Sequence, residues 1–453
     1  MHANQSATPG PVARYSLLGV TVLGTMSNNI INVPLHTIAA DFDQPIATAV
    51  LSVSAFILVL AVAMPITGWI GDRFGQKRTL VASLVLMVTA QLAAAAAPSL
   101  AFLIATRAVQ GLACSAIPPM VMGMLVTFYP NQRLRMMGAW AAANGVGQAI
   151  GPPVGGLVSD LAGWRSIFVM MSVASLLVLV GILRSVPTIP GRHSRLHLPG
   201  ALLLCTGVAL LLVAMTALSL SGIPRWATAV LAVLGVLLLA GFILVSANNP
   251  RAMIPPHLII ESRFLRSCLA AFAQMFTLGT VLVVMPLYLT GPLELSSSEA
   301  GILFFVLPLA MAVMAPLVSR LSDRTTPRLV LRAGLSIIIV GALLTGLITR
   351  DSAIPHVLWL VSGMLLVLGV GMAMVQTPAA AGATRSPAGS RGAALGLFNM
   401  LRFSGSTAGT AWVALMYPFG DMLVLFLGCV AIAVLGLGMS FFGPDPAAPR
   451  PTS

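Results

Sequence analysis

Along this chain, apolar runs of roughly twenty residues alternate with short polar segments that hold nearly all of its charge. A helix needs about 20 residues to cross the hydrocarbon of a bilayer, so the pattern predicts about fourteen spanning helices. They fall near residues 15–39, 47–69, 79–97, 100–128, 136–160, 164–184, 198–220, 226–247, 267–290, 299–320, 329–349, 355–377, 392–415 and 421–442. The longest connections, 185–197 and 248–266, contain Pro, Arg and His and predict linkers, not domains. Residues 1–14 lack the apolar core and small-residue cleavage site of a removable signal.

Composition agrees with a lipid solvent. With 58% of 453 residues hydrophobic and 8% charged, no set of soluble domains could hide the apolar surface from water. A net charge of +13 would point to nucleic acid in a soluble protein; here its distribution argues otherwise. Arg14, Arg73, Lys77, Arg78, Arg133, Arg135, Arg184, Arg192 and Arg195 occupy alternate connections. Arg251, Arg263, Arg266, Arg320, Arg324, Arg328, Arg332, Arg385, Arg391 and Arg450 continue the series, while the opposite connections hold only Arg165, Arg225 and Arg350. By the positive-inside rule both termini are expected in the cytoplasm of a multi-pass plasma-membrane protein, with no nucleic-acid partner. Cys114, Cys205, Cys268 and Cys429 all lie in apolar runs at no metal-like spacing, so they are expected to pack as small residues, without disulfides or metal.

An internal echo organises the spans. Gly68-Trp69-Ile70-Gly71-Asp72-Arg73 ends the second and Ser319-Arg320-Leu321-Ser322-Asp323-Arg324 ends the tenth. Gly138, Gly151 and Gly155 recur at one constant offset as Gly392, Gly405 and Gly409. The expected fold is therefore all-α: two six-helix pseudo-symmetric bundles, residues 15–185 and 266–442, with two inserted helices and their loops at 186–265 and tails at 1–14 and 443–453.

Three motifs carry chemistry. The turn Gly68, Gly71, Asp72, Arg73, Gly75, Lys77 and Arg78 sets a carboxylate among cations, where it can accept from a helix N-terminus and act as a latch; a plain basic anchor is the alternative. Arg107-Ala108-Val109-Gln110-Gly111 buries a guanidinium in an apolar helix, where a bare charge needs a partner or water, unless it snorkels outward. Gly147, Gly151, Pro152, Gly155 and Gly156 form a small-residue face bent by proline, suited to close helix packing and expected to meet the other half of the chain.

The first of these strings resembles the signature Gly-x-x-x-Asp-Arg-x-Gly-x-Lys/Arg-Arg of the major facilitator superfamily; the second copy keeps Asp323 and Arg324 but has Ser319 and Thr326 where glycines belong. Arg107, Gln110 and Gly111 resemble that family's fourth-helix motif of proton-coupled transport, and the Gly147–Gly156 string resembles its antiporter motif. With two extra helices between the halves, and with Met285-Pro286-Leu287-Tyr288-Leu289 and Arg391, Gly392, Asn399, Arg402, Gly405 and Gly409 also matching, the chain resembles the fourteen-helix drug:proton antiporters. That resemblance implies a monomeric, cofactor-free exporter of small amphipathic molecules that exchanges them for protons by alternating access. A metabolite or organic-anion exporter, or a non-transporting receptor on the same scaffold, is the alternative reading. Neither His-Glu-x-x-His nor a nucleotide-binding Gly-x-x-x-x-Gly-Lys-Ser/Thr loop occurs, which disfavours an enzyme or an ATP-driven pump.

One departure matters. Where those antiporters carry an acid inside the first helix, this chain has Ser27, and all eleven acids fall in loops or at predicted helix ends. A cation held in low dielectric without a carboxylate is costly, so the interior is expected to prefer neutral or anionic compounds. Candidate proton carriers are Arg107 as a relay, His36, Asp72 and Asp160. The polar residues expected to line a central cavity are Asn28, Asn29, Asn32, Gln110, Asn144, Gln148, Gln274, Gln376, Asn399 and Arg402, because buried amides in lipid face other helices or a wet cavity. Asn28 and Asn32 are expected one turn apart on one helix face, and Arg402 is the repeat partner of Gln148.

Overall fold

The structure, a computed structural model, describes residues 9–191, 197–218, 223–247, 249, 252–350 and 356–443. Arg192, Arg195, Arg251, Arg450, Asp351 and Asp445 lie outside the described residues, as do most of the two expected tails. The first half comprises α1 (Pro11–Asn29), α2 (Leu35–Asp41), α3 (Ile46–Phe74), α4 (Gln76–Ala95), α5 (Leu100–Ser115), α6 (Ile117–Phe128), α7 (Arg133–Ala162) and α8 (Trp164–Ser185). Two helices follow, α9 (Leu198–Ala217) and α10 (Arg225–Ser246), then the short α11 (Pro256–Ile259). The second half runs through α12 (Ser262–Thr290), α13 (Ser297–Arg324), α14 (Pro327–Ile348), α15 (Val357–Arg385), α16 (Gly392–Met416) and α17 (Met422–Met439). Among the described residues, eleven rods are long and apolar enough to cross a membrane, α5 and α6 together forming one of them; α1, α7 and α16, richer in Gly and polar residues, complete the fourteen.

Two expected spans are broken. The first stops at Asn29 and resumes at Leu35, because Pro34 has no N–H to donate, its ring opposes the Ile30 carbonyl, and it disfavours helical backbone at Val33. The fourth is interrupted at Ala116, just before Pro118 and Pro119. Other helices outrun their apolar segments: α3 continues to Phe74, α13 to Arg324 and α15 to Arg385, since the backbone ladder persists where the side chains have become polar.

One face of the bundle gathers the basic turns and both ends of the described chain. The Tyr129 hydroxyl donates to the Pro9 carbonyl at 3.0 Å. Arg328 donates to the carbonyls of Ser440, Phe442 and Gly443, and Arg14 shares a surface cleft with Asp323. Arg165 and Arg350 stand at the opposite ends of their helices.

Equivalent glycines show how the halves are related. Gly151 and Gly155 of α7 lie against Met26 and Ile30 of α1, and their repeat partners Gly405 and Gly409 of α16 lie against Phe272 and Phe276 of α12. Gly138 of α7 meets Ser319 of α13, and Gly392 of α16 meets Gly68 of α3. In each half the same helix thus packs inward on the half's own first helix and across on the other half's second. The inserted α9 rests on both α3 and α16, and α10 packs on α9 while turning Val233, Val236, Leu237 and Leu244 outward.

Candidate substrate path and closing latch

At the basic face, α3 ends at Gly75, whose φ of +98° suits a residue without Cβ, and α4 starts at the next residue. This turn aims Asp72 at the N-terminus of α16. The Gly392 N–H donates to Asp72 Oδ1 at 2.8 Å and the Ala393 N–H to Oδ2 at 3.3 Å. A helix N-terminus offers free N–H groups and a positive dipole end, so the carboxylate satisfies two donors that no helical carbonyl can reach. Gly68 sits one turn earlier and touches the Gly392 backbone; a methyl group there would run into its carbonyl. Gly71 packs on Met120, Arg73 lies 5.5 Å from the rings of Trp69 and Phe74, Lys77 Nζ donates to the Leu183 carbonyl at 3.1 Å, and Arg78 is exposed. Arg133 adds a second tie between the halves, donating to the Thr384 carbonyl at 3.1 Å. Asp323 and Arg324, at the corresponding turn of the second half, are exposed.

A brace behind this seam escaped the sequence reading. Glu261 caps α12 by accepting from the N–H groups of Arg263 (3.0 Å) and Phe264 (2.9 Å), and it also accepts from the Ser386 hydroxyl at 2.7 Å. It thereby ties α12 to the turn that delivers Gly392. Burial works against its ionisation, but the bonds from Ser386, Arg263 and Phe264 outweigh that and keep the carboxyl below its usual range. The sequence signal was available: an acid directly before a long apolar helix is an N-cap pattern.

The interior holds two buried arginines. Arg107, 1% exposed, does not snorkel: Nη1 donates to the Ser27 carbonyl (3.1 Å) and to Gln110 Oε1 (2.9 Å), and the guanidinium lies 4.2 Å from the Phe56 ring centroid. It thus reaches the very position where an acid was expected, but finds a backbone oxygen. Arg402, also 1% exposed, lies 5.3 Å from the Trp140 ring and 5.2 Å from Phe403. Among the described residues no Asp or Glu is buried. Stacking on a ring offsets roughly 0.5–2 kcal/mol, whereas desolvating an ion costs several.

The predicted cavity residues separate into groups. Asn28 and Asn144 line a central cavity of about 30 Å³, with Thr21, Thr25, Leu60, Ile117, Pro118, Trp140 and Phe403. That is space for about one water. Thr25 Oγ1 donates to Asn144 Oδ1 at 3.1 Å, and Asn144 Nδ2 to the Trp140 carbonyl at 2.9 Å. Asn29 donates back to the Thr25 carbonyl, and Gln148 is half-buried. Gln110 serves Arg107 and the Ala90 carbonyl. Gln274, Gln376 and Asn399 are buried on α12, α15 and α16, Asn399 donating to the Leu395 carbonyl at 2.9 Å. Trp140 and Phe403 were missed; Trp140 precedes Asn144 by one turn, which was a usable sign of a shared face.

The structure corrects two expectations and places two further candidates. Asn32 shares no helix face with Asn28, because the break at Pro34 leaves it exposed between α1 and α2. His36 on α2 and Asp160 near the end of α7 are exposed at the face opposite the latch, away from the buried interior. The small-residue face of α7 does not pack on the other half: Gly147, Gly151, Gly155 and Gly156 approach Val22, Met26, Ile30 and Val33 of the first span. The crossing stripe of α7 is instead Gly138 and Gly145, seven residues apart, which meet Ser319 and Ala312 of α13.

Similarity to known proteins agrees with this architecture. The sequence profile described as Major Facilitator Superfamily matches residues 17–248 and 267–453. YebQ, an uncharacterized transporter of Escherichia coli K12, is 28% identical over 94% of this chain and 95% of its own length. The puromycin resistance protein pur8 of Streptomyces alboniger is 28% identical over 87% of this chain and 79% of its own. The crystal structure of the human organic anion transporter MFSD10 (TETRAN) superposes with a TM-score of 0.70, covering 95% of this chain and all of that one at 17% identity, a likeness of fold. A helical protein of two related bundles with an interior path and a profile match along nearly its whole length, the chain belongs to the major facilitator superfamily and is a membrane transporter, not an enzyme.

Proposed function

We propose that this protein is a secondary active exporter that moves small amphipathic molecules out of the cytoplasm in exchange for protons, the two halves rocking about the pocket around Asn28, Trp140 and Asn144. The observation that carries the reading is the Asp72 carboxylate of one half seated on the N-terminus of α16 in the other. The basic face is taken as cytoplasmic by the positive-inside rule, which puts both termini inside and the protein in the plasma membrane. The conformation then has its cytoplasmic side sealed. Residues 15–185 and 266–442 would move as the two bodies, with 186–265 riding on the α3 and α16 side.

Outward direction is supported by the antiporter-like Gly147–Gly156 string and by a relative that confers puromycin resistance. Asp72 is hydrogen-bonded from one half to the other, so it is the carboxylate whose loss of charge would act directly on the seal. Protonation removes the charge that holds two N–H donors and so loosens the cytoplasmic seal. Arg107, buried beside Ser27 in the first half, keeps that interior positive and works against a competing cation.

The test is reconstitution of the purified protein into liposomes with an imposed pH gradient, following puromycin, ethidium and 1-naphthaleneacetate. Flux of at least one probe against its gradient, abolished by a protonophore, is the expected result. No gradient-driven flux of any probe in either polarity would end the exporter reading.

A further inference from the structure

At the central cavity and directly behind its Trp140 and Phe403 rings lie hydrogen-bond donors that have no acceptor. Trp140, fully buried on α7, has no partner for Nε1 among the described residues. Behind it, Arg402 of α16 is 1% exposed and has no partner for Nε or Nη1. The two side chains touch across the halves, with the guanidinium 5.3 Å from the indole centroid. Three donor nitrogens without an acceptor, two of them on a permanently charged group, therefore lie at the contact between Trp140 and Arg402, beside the pocket. Buried donors in a native interior are nearly always paired, so such a cluster marks a place for an acceptor supplied from outside the chain. No Asp or Glu among the described residues is buried to supply one. Of the other walls, Leu60, Ile117, Pro118 and Phe403 are apolar, and Thr21, Thr25, Asn28 and Asn144 are polar but uncharged.

We propose that this pocket binds amphipathic organic anions, a carboxylate or sulfonate accepting from Arg402 and Trp140 while the apolar body lies against Ile117, Pro118 and Phe403. The proposal rests on the exporter reading for its consequence, since the pocket must widen to admit such a molecule. Because Trp140 and Arg402 belong to different halves, any tilt that parts the halves draws the indole off the guanidinium and uncovers it. In the sealed form the ring stands in for the anion and covers the charge. A planar guanidinium favours a planar carboxylate by paired N–H donation, and a cationic ligand meets an uncompensated positive charge at the same spot.

The experiment compares 1-naphthaleneacetate with its neutral amide, equal in shape, by equilibrium binding to the purified full-length protein in detergent. The native protein is expected to bind the acid at least about tenfold more tightly. Arg402→Gln should abolish that preference by weakening acid binding about tenfold and amide binding far less, Arg402→Lys should keep part of it, and Trp140→Phe should reduce it a few-fold. An unchanged melting temperature in Arg402→Gln shows that the fold has survived; if that variant fails to fold, the Trp140→Phe and Arg402→Lys pair carries the comparison. Equal affinity of the native protein for acid and amide, or a preference untouched by these variants, overturns the proposal. Protein that drives ethidium or puromycin along a pH gradient yet shows no acid preference keeps the exporter reading and loses the anion site. Protein that shows the Arg402-dependent preference but drives no flux keeps the site and loses the exporter reading.

Discussion

The seams between α3 and α16 and between α13 and α7 occupy related places in the two halves, and they close differently. At the first, Gly68 and Gly392 bring two backbones into contact and Asp72 accepts from two N–H groups of α16. At the second, Ser319 stands where Gly68 would be, and Asp323 is exposed, bordering a cleft of about 300 Å³ with Arg133, Arg135 and Arg385. Two bonds to a carboxylate at a partly buried helix end are each worth about 1.5–3 kcal/mol, whereas an exposed charge facing a solvated cleft contributes about 0–1 kcal/mol. Duplication supplied both turns; the geometry of one glycine separates a latch from a charged rim. The seal at the basic face therefore hangs mainly on the first seam.

That asymmetry can be broken most severely at the glycines. Gly68→Ala places a methyl group on the Gly392 carbonyl, where only backbone could yield, and should remove nearly all transport per inserted molecule. Gly138→Ala meets Ser319 Cβ at 2.7 Å and the Ala315 carbonyl at 3.1 Å, a milder clash than the backbone overlap at Gly68, and should leave a larger fraction. Equal losses in reconstituted flux would show that the two seams carry the closure alike. Next in size is the acid pair. Asp72→Asn, which keeps the shape but removes the charge, should lower flux about tenfold with normal insertion. Asp323→Asn should change it by no more than about twofold. The reverse order would relocate the latch to the second seam.

How much of this could be read beforehand follows from what sequence encodes. Helix existence and order were legible because lipid imposes a length on every apolar run, and even the inserted α9 and α10 were outlined to within a few residues. Asp72 opposite a helix end was anticipated from charge at a tight turn, since the turn itself dictates where the carboxylate points. Partner choice was not legible. The Gly147, Gly151 and Gly155 stripe says that some helix comes close, yet only the fold says that it is α1 and not α13. Gln110 was expected to line the cavity, although its place three residues after Arg107 puts both on one helix face, where its amide serves the guanidinium. The Asn28 and Asn32 pairing failed for a local reason, Pro34, which the sequence displayed and the span length concealed.

Glu261 sharpens the comparison with a smaller effect, because it holds the turn that carries Gly392 to Asp72. Its folded carboxyl titrates below the usual 4.5, so its bonds stabilise the protein above that value and are lost as pH falls through the lower, folded value. Thermal stability in detergent should therefore show no pH dependence from this group across neutral pH and a decline only below about pH 4.5. Glu261→Gln should lower the transition near neutral pH by about a degree or two and flatten the acid decline. A variant that melts like the native protein at neutral pH would show that the brace is idle.

The smallest effect is expected at the opposite face, and it tests whether closure is confined to one side. Arg165 pairs with Asp41, which also accepts from the Trp164 indole, and Arg350 pairs with Asp421. Each pair joins elements of a single half, so neither resists separation of the halves. The side chains of the Arg165 pair are 43% and 41% exposed, where water and salt screen the attraction. Arg165→Gln should accordingly keep flux within about twofold of native, while Asp72→Asn, removing one charge between the halves, does not. If Arg165→Gln instead cut flux as deeply as Asp72→Asn, α2 and α8 would have to move against each other during transport, and the first half would no longer behave as one body.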